Sequence, residues 1–341
     1  MKRAEPISKT KKARPRQDSM SDLGILSQVA HMYYNQNMLQ PEIAGKLYFS
    51  RAKVSRMLKR AREMGVVDIY VKRYLDRMPS IEQKLQRIFP LKEAIVLSKG
   101  DEEQEETLEG LTNFAALYVS ELLKNKGIMG ITGGGTVQRV IKKLPKVDVS
   151  DMHVVQVIGA SANQYMPGEA RELVNHISTL LSADGHYLNT PLYIDDLYAK
   201  EILLRDPNVD EVFNYMKKLD LLLTGIGSFS QTDAVPSWFG YMTAKHREEL
   251  EGLHAVGSLC AQYFDIDGNR LDCEWNRKCV AIPFSDMKKV ALTVGVATGQ
   301  DKTAAILGAL RGKYINILIT DAQTASLVIE QERKKLSKHS I

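Results

Sequence analysis

Cysteine is scarce in this chain: Cys260, Cys273 and Cys279 are the only three in 341 residues, and no two form a C-x-x-C pair. An odd number without that spacing excludes a disulfide framework or a zinc ribbon and fits a reducing compartment, so the three read as packing residues. No apolar run approaches the ~20 residues that cross a bilayer. The first stretch, MKRAEPISKTKKARPRQDSM, is basic but has no apolar core of ~7–15 residues, so it is not a secretory signal. A cytoplasmic protein without a membrane partner is expected. None of His31, His153, His176, His186, His246, His254 and His339 falls in a metal-ligand spacing, and G-x-S-x-G is absent. No metal and no cofactor are expected.

What remains is ordinary globular composition, with 44% apolar and 26% charged residues, in a chain long enough for about two domains. A net charge of +5 decides little, but its distribution is informative. Up to Asp18 the chain carries Lys2, Arg3, Lys9, Lys11, Lys12, Arg14 and Arg16 against Glu5 and Asp18, with almost nothing apolar to fold around. Residues 1–20 therefore read as a disordered basic arm, either a polyanion-binding tail or a merely solvated one.

Residues 21–73 read as a helix-turn-helix unit. Ile25, Leu26, Val29, Ala30 and Tyr33 form one helical stripe, and NQNMLQ breaks it. Pro41 suits the first turn of a second, short helix carrying Ile43, Ala44 and Leu47. Ser50 is placed to cap a third helix, RAKVSRMLKRAREMG, closed by Gly65. Its buried stripe is Val54, Met57, Leu58 and Ala61. Arg51, Lys53, Ser55, Arg56, Lys59 and Arg60 are left on the outside, and a helix of this kind following a tight turn fits the major groove of B-DNA. VVDIYVKR alternates like a strand and could add a wing. In residues 74–90, Pro79, Ser80 and Gln83 suggest a capping box ahead of a linker helix striped by Ile81, Leu85 and Ile88. That helix reads equally as a packing element of the next domain or as a lever.

From 91 to 341 short β-rich runs alternate with helical ones: EAIVLS, GIMGI, HVVQVIGA, DLLLTGI, CVAIPF, VALTVGV and INILIT are the expected strands. Such alternation predicts a Rossmann-like α/β domain with a mostly parallel sheet covered by helices, whose ligands gather beyond the carboxyl ends of strands. At one such end, GITGGGTV places Gly133, Gly134 and Gly135 between a strand and a helix expected from Thr136. Bare backbone N–H groups and the helix dipole favour an anion there, although a tight turn is the plainer reading. The spacing is neither a P-loop nor a dinucleotide fingerprint. A second small-residue loop, with Gly225, Gly227 and Ser228, leaves another strand, and Lys302 stands at a helix start after Gly299.

The motifs LSQVAHMYYNQNMLQPEIAGKL, FSRAKVSRMLKRAREMGVVDI, GITGGGTV, VVQVIGA, LLLTGIGS, GLHAVGSLCAQYFDIDG and ATGQDKTAAILGALRGKYINILITDAQTA resemble those of the SorC-type family of sugar-responsive bacterial transcriptional regulators. The resemblance spans almost everything from Leu23 to about Glu330. It implies a (winged) helix-turn-helix domain followed by an effector domain similar to sugar-phosphate isomerase and deaminase folds. It implies groove contacts by Arg51, Lys53, Ser55 and Arg56, and phosphate contacts by Lys59 and Arg60. It implies further a phosphate seat at Thr132, Gly133, Gly134, Gly135 and Thr136, with Gln156, Gly225, Gly227, Ser228, Asp265 and Lys302 around the sugar. Double-stranded operator DNA, a phosphorylated sugar and a second copy of the chain, in a homodimer or homotetramer, are the expected partners.

An isomerase or deaminase-type enzyme is the main rival, because fold and pocket would be shared. Those deaminases carry G-x-G-x-D-G-H, where this chain has GIGSFSQ, and Gln231 cannot move a proton. A non-enzymatic repressor that senses a sugar phosphate is thus the expected function. A constitutive DNA-binding protein with a vestigial pocket is the remaining alternative.

Overall fold

The computed structural model describes residues 20–67, 75–98, 104–124, 127–149, 151–161, 168–229 and 241–338. The chain divides into two compact units, 1–71 and 72–341. The basic arm, apart from Met20, lies outside the described residues, as do 68–73 of the expected wing and Gln231.

Among the described residues the small unit contains three α-helices. Helix α1 (Met20–Ala30) runs into a π-helical turn at His31–Asn35, followed by α2 (Gln40–Lys46) and α3 (Arg51–Glu63). Pro41 lies in the first turn of α2, and Gly65 closes α3 at φ +69°, in the left-handed region that favours glycine. Val29, Met32, Ile43, Ala44, Val54 and Leu58 form one apolar cluster, and Leu26, Ala30 and Ala61 another. Met32, within the π-helical turn, is buried in that core and is not among the stripe residues expected.

In the large unit the chain continues through α4 (Pro79–Ile88), β1 (Glu93–Leu97), α5 (Gln104–Leu123), β2 (Ile128–Ile131), α6 (Gly135–Lys142), β3 (His153–Gln156) and α7 (Ala170–Leu181). It then forms β4 (Asp184–His186), α8 (Leu197–Leu204), α9 (Pro207–Met216), β5 (Leu221–Gly225), β6 (Gly227–Ser228), α10 (Ala244–Gly252), β7 (Gly257–Leu259) and β8 (Gln262–Phe264). Helices α11 (Glu274–Lys278) and α12 (Phe284–Met287), β9 (Leu292–Val296), a 3₁₀ turn at Gln300–Lys302, α13 (Thr303–Arg311), β10 (Ile317–Asp321) and α14 (Ala322–Lys338) complete it.

A seven-stranded sheet, in the order β1-β10-β9-β5-β2-β3-β4, is parallel throughout, and β6-β7-β8 form a small antiparallel sheet. Alternate strand residues feed two cores. Leu221 and Leu223 of β5 face a layer with α5, α6 and α7, while Leu222 faces α4, α9, α13 and α14. Burial on both faces explains the uninterrupted apolar strands.

Three expectations are corrected. CVAIPF does not join the sheet: Cys279 and Ala281 make only isolated bridges to Tyr193 and Ile158, and Phe284 starts α12. Ser80 does not cap α4, because Pro79 is already helical and Met78 is the N-cap. Strand β4 follows α7 without having been expected, being three residues, Asp-Gly-His, of no strand propensity. The helix after residue 74, α4, lies on β1 and α14 and falls within the large unit.

Candidate functional site

Two surfaces carry the residues singled out in the sequence. On the small unit, the Ser50 hydroxyl accepts the Lys53 N–H at 3.2 Å and starts α3. Arg51, Lys53, Ser55, Arg56, Lys59 and Arg60 are all exposed, while Val54, Leu58 and Ala61 are buried opposite them. Lys53 rests its ammonium 3.7 Å above the Phe49 ring, and Lys59 pairs with Glu63 at 3.7 Å on the solvent side. Exposed ion pairs of this kind are weak, so these cations remain available to a polyanion. Short polar and cationic groups near the N-terminal end, with cations further along, fit a helix lying in a groove between phosphates.

On the large unit, strand order dictates where a ligand would gather. From β2 the chain moves outward to β3 and β4, whereas from β5 it moves the other way to β9 and β10. Adjacent β2 and β5 therefore straddle the point where winding reverses, and their carboxyl-end loops border one crevice. These loops are Thr132–Thr136 and Ile226–Ser228. The structure brings them together: a Cβ added to Gly225 would contact Val137 at 3.8 Å and Thr136 at 4.0 Å.

The glycine loop is shaped by close backbone approach. Gly134 donates its N–H to the Gly168 carbonyl at 2.8 Å, and a Cβ on Gly133 would lie 2.8 Å from that same oxygen. Gly134 sits at φ +126° and ψ 152° as N-cap of α6, and it offers no side-chain cap. The first N–H groups of α6 thus face the crevice without an intrahelical acceptor. Helix α7 provides the contrast, since its N-terminus is already filled by its own anion: the Glu169 carboxylate accepts from Arg171 and Glu172 N–H at 2.6 and 3.2 Å.

Lys302 extends from the 3₁₀ turn after β9 and donates to the Ile226 carbonyl at 3.1 Å, placing a cation beside the β5 loop. Ser228 Oγ lies 3.5 Å from the carboxylate of its neighbour Asp301. Beyond it a polar cleft of about 280 Å³ is lined by residues including Thr107, Thr298, Gly299, Asp301 and Thr324. Burial alone would raise the Asp321 carboxyl, but hydrogen bonds from the Thr298 and Thr324 hydroxyls and from the Thr324 and Gly299 N–H groups hold it below its usual range. That buried carboxylate fixes the loop from which Lys302 projects.

Thr132, Gly133, Gly134, Gly135, Thr136, Gly225, Gly227, Ser228 and Lys302 are therefore gathered on three adjoining loops. Two expected residues are not. Gln156 is fully buried, donating to the Ile158 carbonyl at 2.8 Å, with its Oε1 left without a partner. Asp265 is committed to its own turn, accepting the Asp267 and Asn269 N–H groups at 2.9 and 2.8 Å beside Gly308 of α13. FDIDG reads in sequence as a turn or a ligand loop, and its carboxylate is engaged within the turn. Gly168 and Asp301 belong to the crevice but were not anticipated: Gly168, at φ +82°, is signalled only by a Pro-Gly dipeptide, and Asp301 only by adjacency to Lys302.

The sugar-binding domain family, Sugar-bind, matches residues 75–330. The sorbitol operon regulator of Klebsiella pneumoniae is 30% identical over 321 residues, covering 92% of this chain and all of the relative. A deoxyribonucleoside regulator of Bacillus subtilis is 26% identical over 302 residues, 89% of this chain and 96% of that one. The crystal structure of the full-length Klebsiella regulator SorC superposes with a TM-score of 0.68 at 30% identity, over 91% of this chain and 99% of that one. The chain accordingly belongs to the SorC-type family of sugar-responsive transcriptional regulators.

Proposed function

We propose that this chain represses a carbohydrate-metabolism operon and that a phosphorylated sugar, bound at the β2 and β5 loops, sets its affinity for operator DNA. The observation that carries this reading is the uncapped α6 N-terminus at the winding reversal, cradled by glycine backbone and bordered by Lys302. A phosphate would accept from the α6 N–H groups and pair with Lys302. The hydroxyls of the sugar would extend toward the polar cleft at Asp301 and Thr298. Arg51, Lys53, Ser55 and Arg56 would read the groove, with Lys59 and Arg60 on phosphates. Coupling between such sites is typically ~1–3 kcal/mol and reciprocal, so operator DNA would shift effector affinity by the same factor. The relatives are regulators, which favours this over an isomerase or deaminase with the same fold.

A thermal-shift screen tests the reading, using phosphorylated hexoses and hexitols beside their unphosphorylated forms. The Klebsiella relative's sorbitol operon makes hexitol phosphates the natural starting set. A ligand at about 100 times its dissociation constant adds ~2.7 kcal/mol to the state it binds. A shift confined to phosphorylated ligands, which then changes operator binding in a mobility assay, supports the proposal. A shift with the free sugars alone removes the phosphate seat.

A further inference from the structure

A cleft of about 400 Å³ opens between α8, α9 and the chain that runs from α11 into α12, and it shares no residue with the crevice at the β2 and β5 loops. Its charge is unbalanced: Lys200 and Arg270 line it, and no carboxylate does. The neighbouring cations of α11 are paired, Arg277 with Asp272 and Lys278 with Asp195 and Glu274. Among the described residues Lys200 and Arg270 donate only to backbone carbonyls.

Those carbonyls belong to the carboxyl end of α11. Lys200 donates to Arg277 and Cys279 at 2.7 Å each, and Arg270 Nη2 donates to Asn276 at 2.5 Å. Carbonyls left over at a helix end suit cations, which accounts for where the two side chains are held. It supplies no countercharge. Two of the three ammonium N–H groups and one of the five guanidinium N–H groups are spent, and the rest remain for a ligand. Burial above all lowers the Lys200 amine from its usual value, and the Arg270 guanidinium lowers it further. Two like charges set together in a partly buried cleft are costly until an anion joins them.

We propose that this cleft is a second ligand site, which takes a small organic anion whose phosphate or carboxylate head pairs with Lys200 and Arg270 and whose apolar body lies along Leu204, Phe213 and Phe284. A planar guanidinium receives either head through two parallel N–H···O bonds, and the ammonium adds a point charge beside it. Because α11 already fixes both cations, little side-chain freedom is lost when the anion arrives. The volume lies within the range of small-molecule sites, roughly 300–1,000 Å³, and exceeds what a bare ion fills. Its apolar lining selects for a body other than a polyol, so the ligand differs in kind from the sugar phosphate of the crevice. The inference goes beyond the regulator reading and does not rest on it.

Calorimetric titration of the full chain tests it with three probes of similar shape: phenyl phosphate, benzoate and benzyl alcohol. At least one of the two anions is expected to bind with a dissociation constant of about 1 mM or lower, and the neutral alcohol about 10-fold more weakly or worse. The tighter anion identifies the head that the site prefers. Arg270→Ala, at an exposed side chain, is expected to weaken the bound anion by about 10-fold or more. Lys200→Met, which keeps the apolar stem and removes the charge, should do the same and serves as the second variant. Lys302→Met, in the crevice, should leave this binding unchanged, which separates the cleft from the phosphate seat. No binding of either anion by the wild type, equal binding of the alcohol, full affinity in both cleft variants, or loss in Lys302→Met instead overturns the proposal.

Discussion

Gly134 and Gly135 are adjacent in sequence and face opposite consequences from the same substitution. At Gly134 an added Cβ meets nothing within 4 Å, so the obstacle to alanine is the backbone alone, at φ +126° and ψ 152°. That region is essentially restricted to glycine, and holding another residue there costs of order 1–3 kcal/mol. Gly135 also has open space, but it is the first residue of α6 with no positive φ. Alanine there removes unfolded-state freedom and stabilises by about 0.4–1 kcal/mol. For a domain of this size ~1 kcal/mol moves the midpoint by roughly 2–4 °C, so Gly134→Ala should lower it by about 2–12 °C while Gly135→Ala raises it slightly. If the Gly134→Ala loop escapes strain by rotating, reforming the cradle around a phosphate restores that cost, and affinity should fall about 5- to 150-fold. Differential scanning fluorimetry and calorimetric titration with the sugar phosphate from the screen measure both quantities. Equal midpoints for the two variants together with full affinity in Gly134→Ala would refute the cradle geometry.

Lys302→Met should abolish the thermal shift given by phosphorylated ligands while leaving operator affinity in their absence intact, and a retained shift would remove Lys302 from the site. Arg56→Ala should cost about 1–3 kcal/mol and relax discrimination between operator and random DNA, whereas Lys59→Ala should weaken both alike and lower the salt slope by about one. Competition binding at two salt concentrations separates them, and identical behaviour contradicts their assigned roles. His186 lies 3.0 Å from His153, and burial first, then that second imidazole, hold its pKa below the usual 6.5. A base depressed in the folded state leaves the folded chain with fewer protons than the unfolded one, so stability present above pH ~6.5 is lost as pH falls through the folded value. Midpoints should drop between about pH 7.5 and 5.5, and less so in His186→Gln; an unaltered slope would contradict the pairing.

Local signals made the small unit legible from sequence. The Ser50 cap, Pro41, the Gly65 stop and the stripe of Val54, Leu58 and Ala61 act within a few residues of themselves, so their meaning survives without knowledge of the fold. The same holds for the glycine loop as a strand-to-helix turn and for the apolar strands as members of a sheet buried on both faces. Strand order is a different kind of fact. That β2 lies beside β5, across some ninety residues of chain, depends on which faces pack, and only that neighbourhood turns three separate loops into one crevice. Long-range packing also assigned α4 to the large unit, drew Gly168 against Gly134, and kept Asp265 in its own turn. The irregular CVAIPF segment and short β4 escaped the sequence for the same reason, since their conformations are set by distant partners rather than by propensity. Helix α8 shows the limit most directly: its sequence demands burial, and the tertiary structure alone reveals that this chain leaves its outward face uncovered.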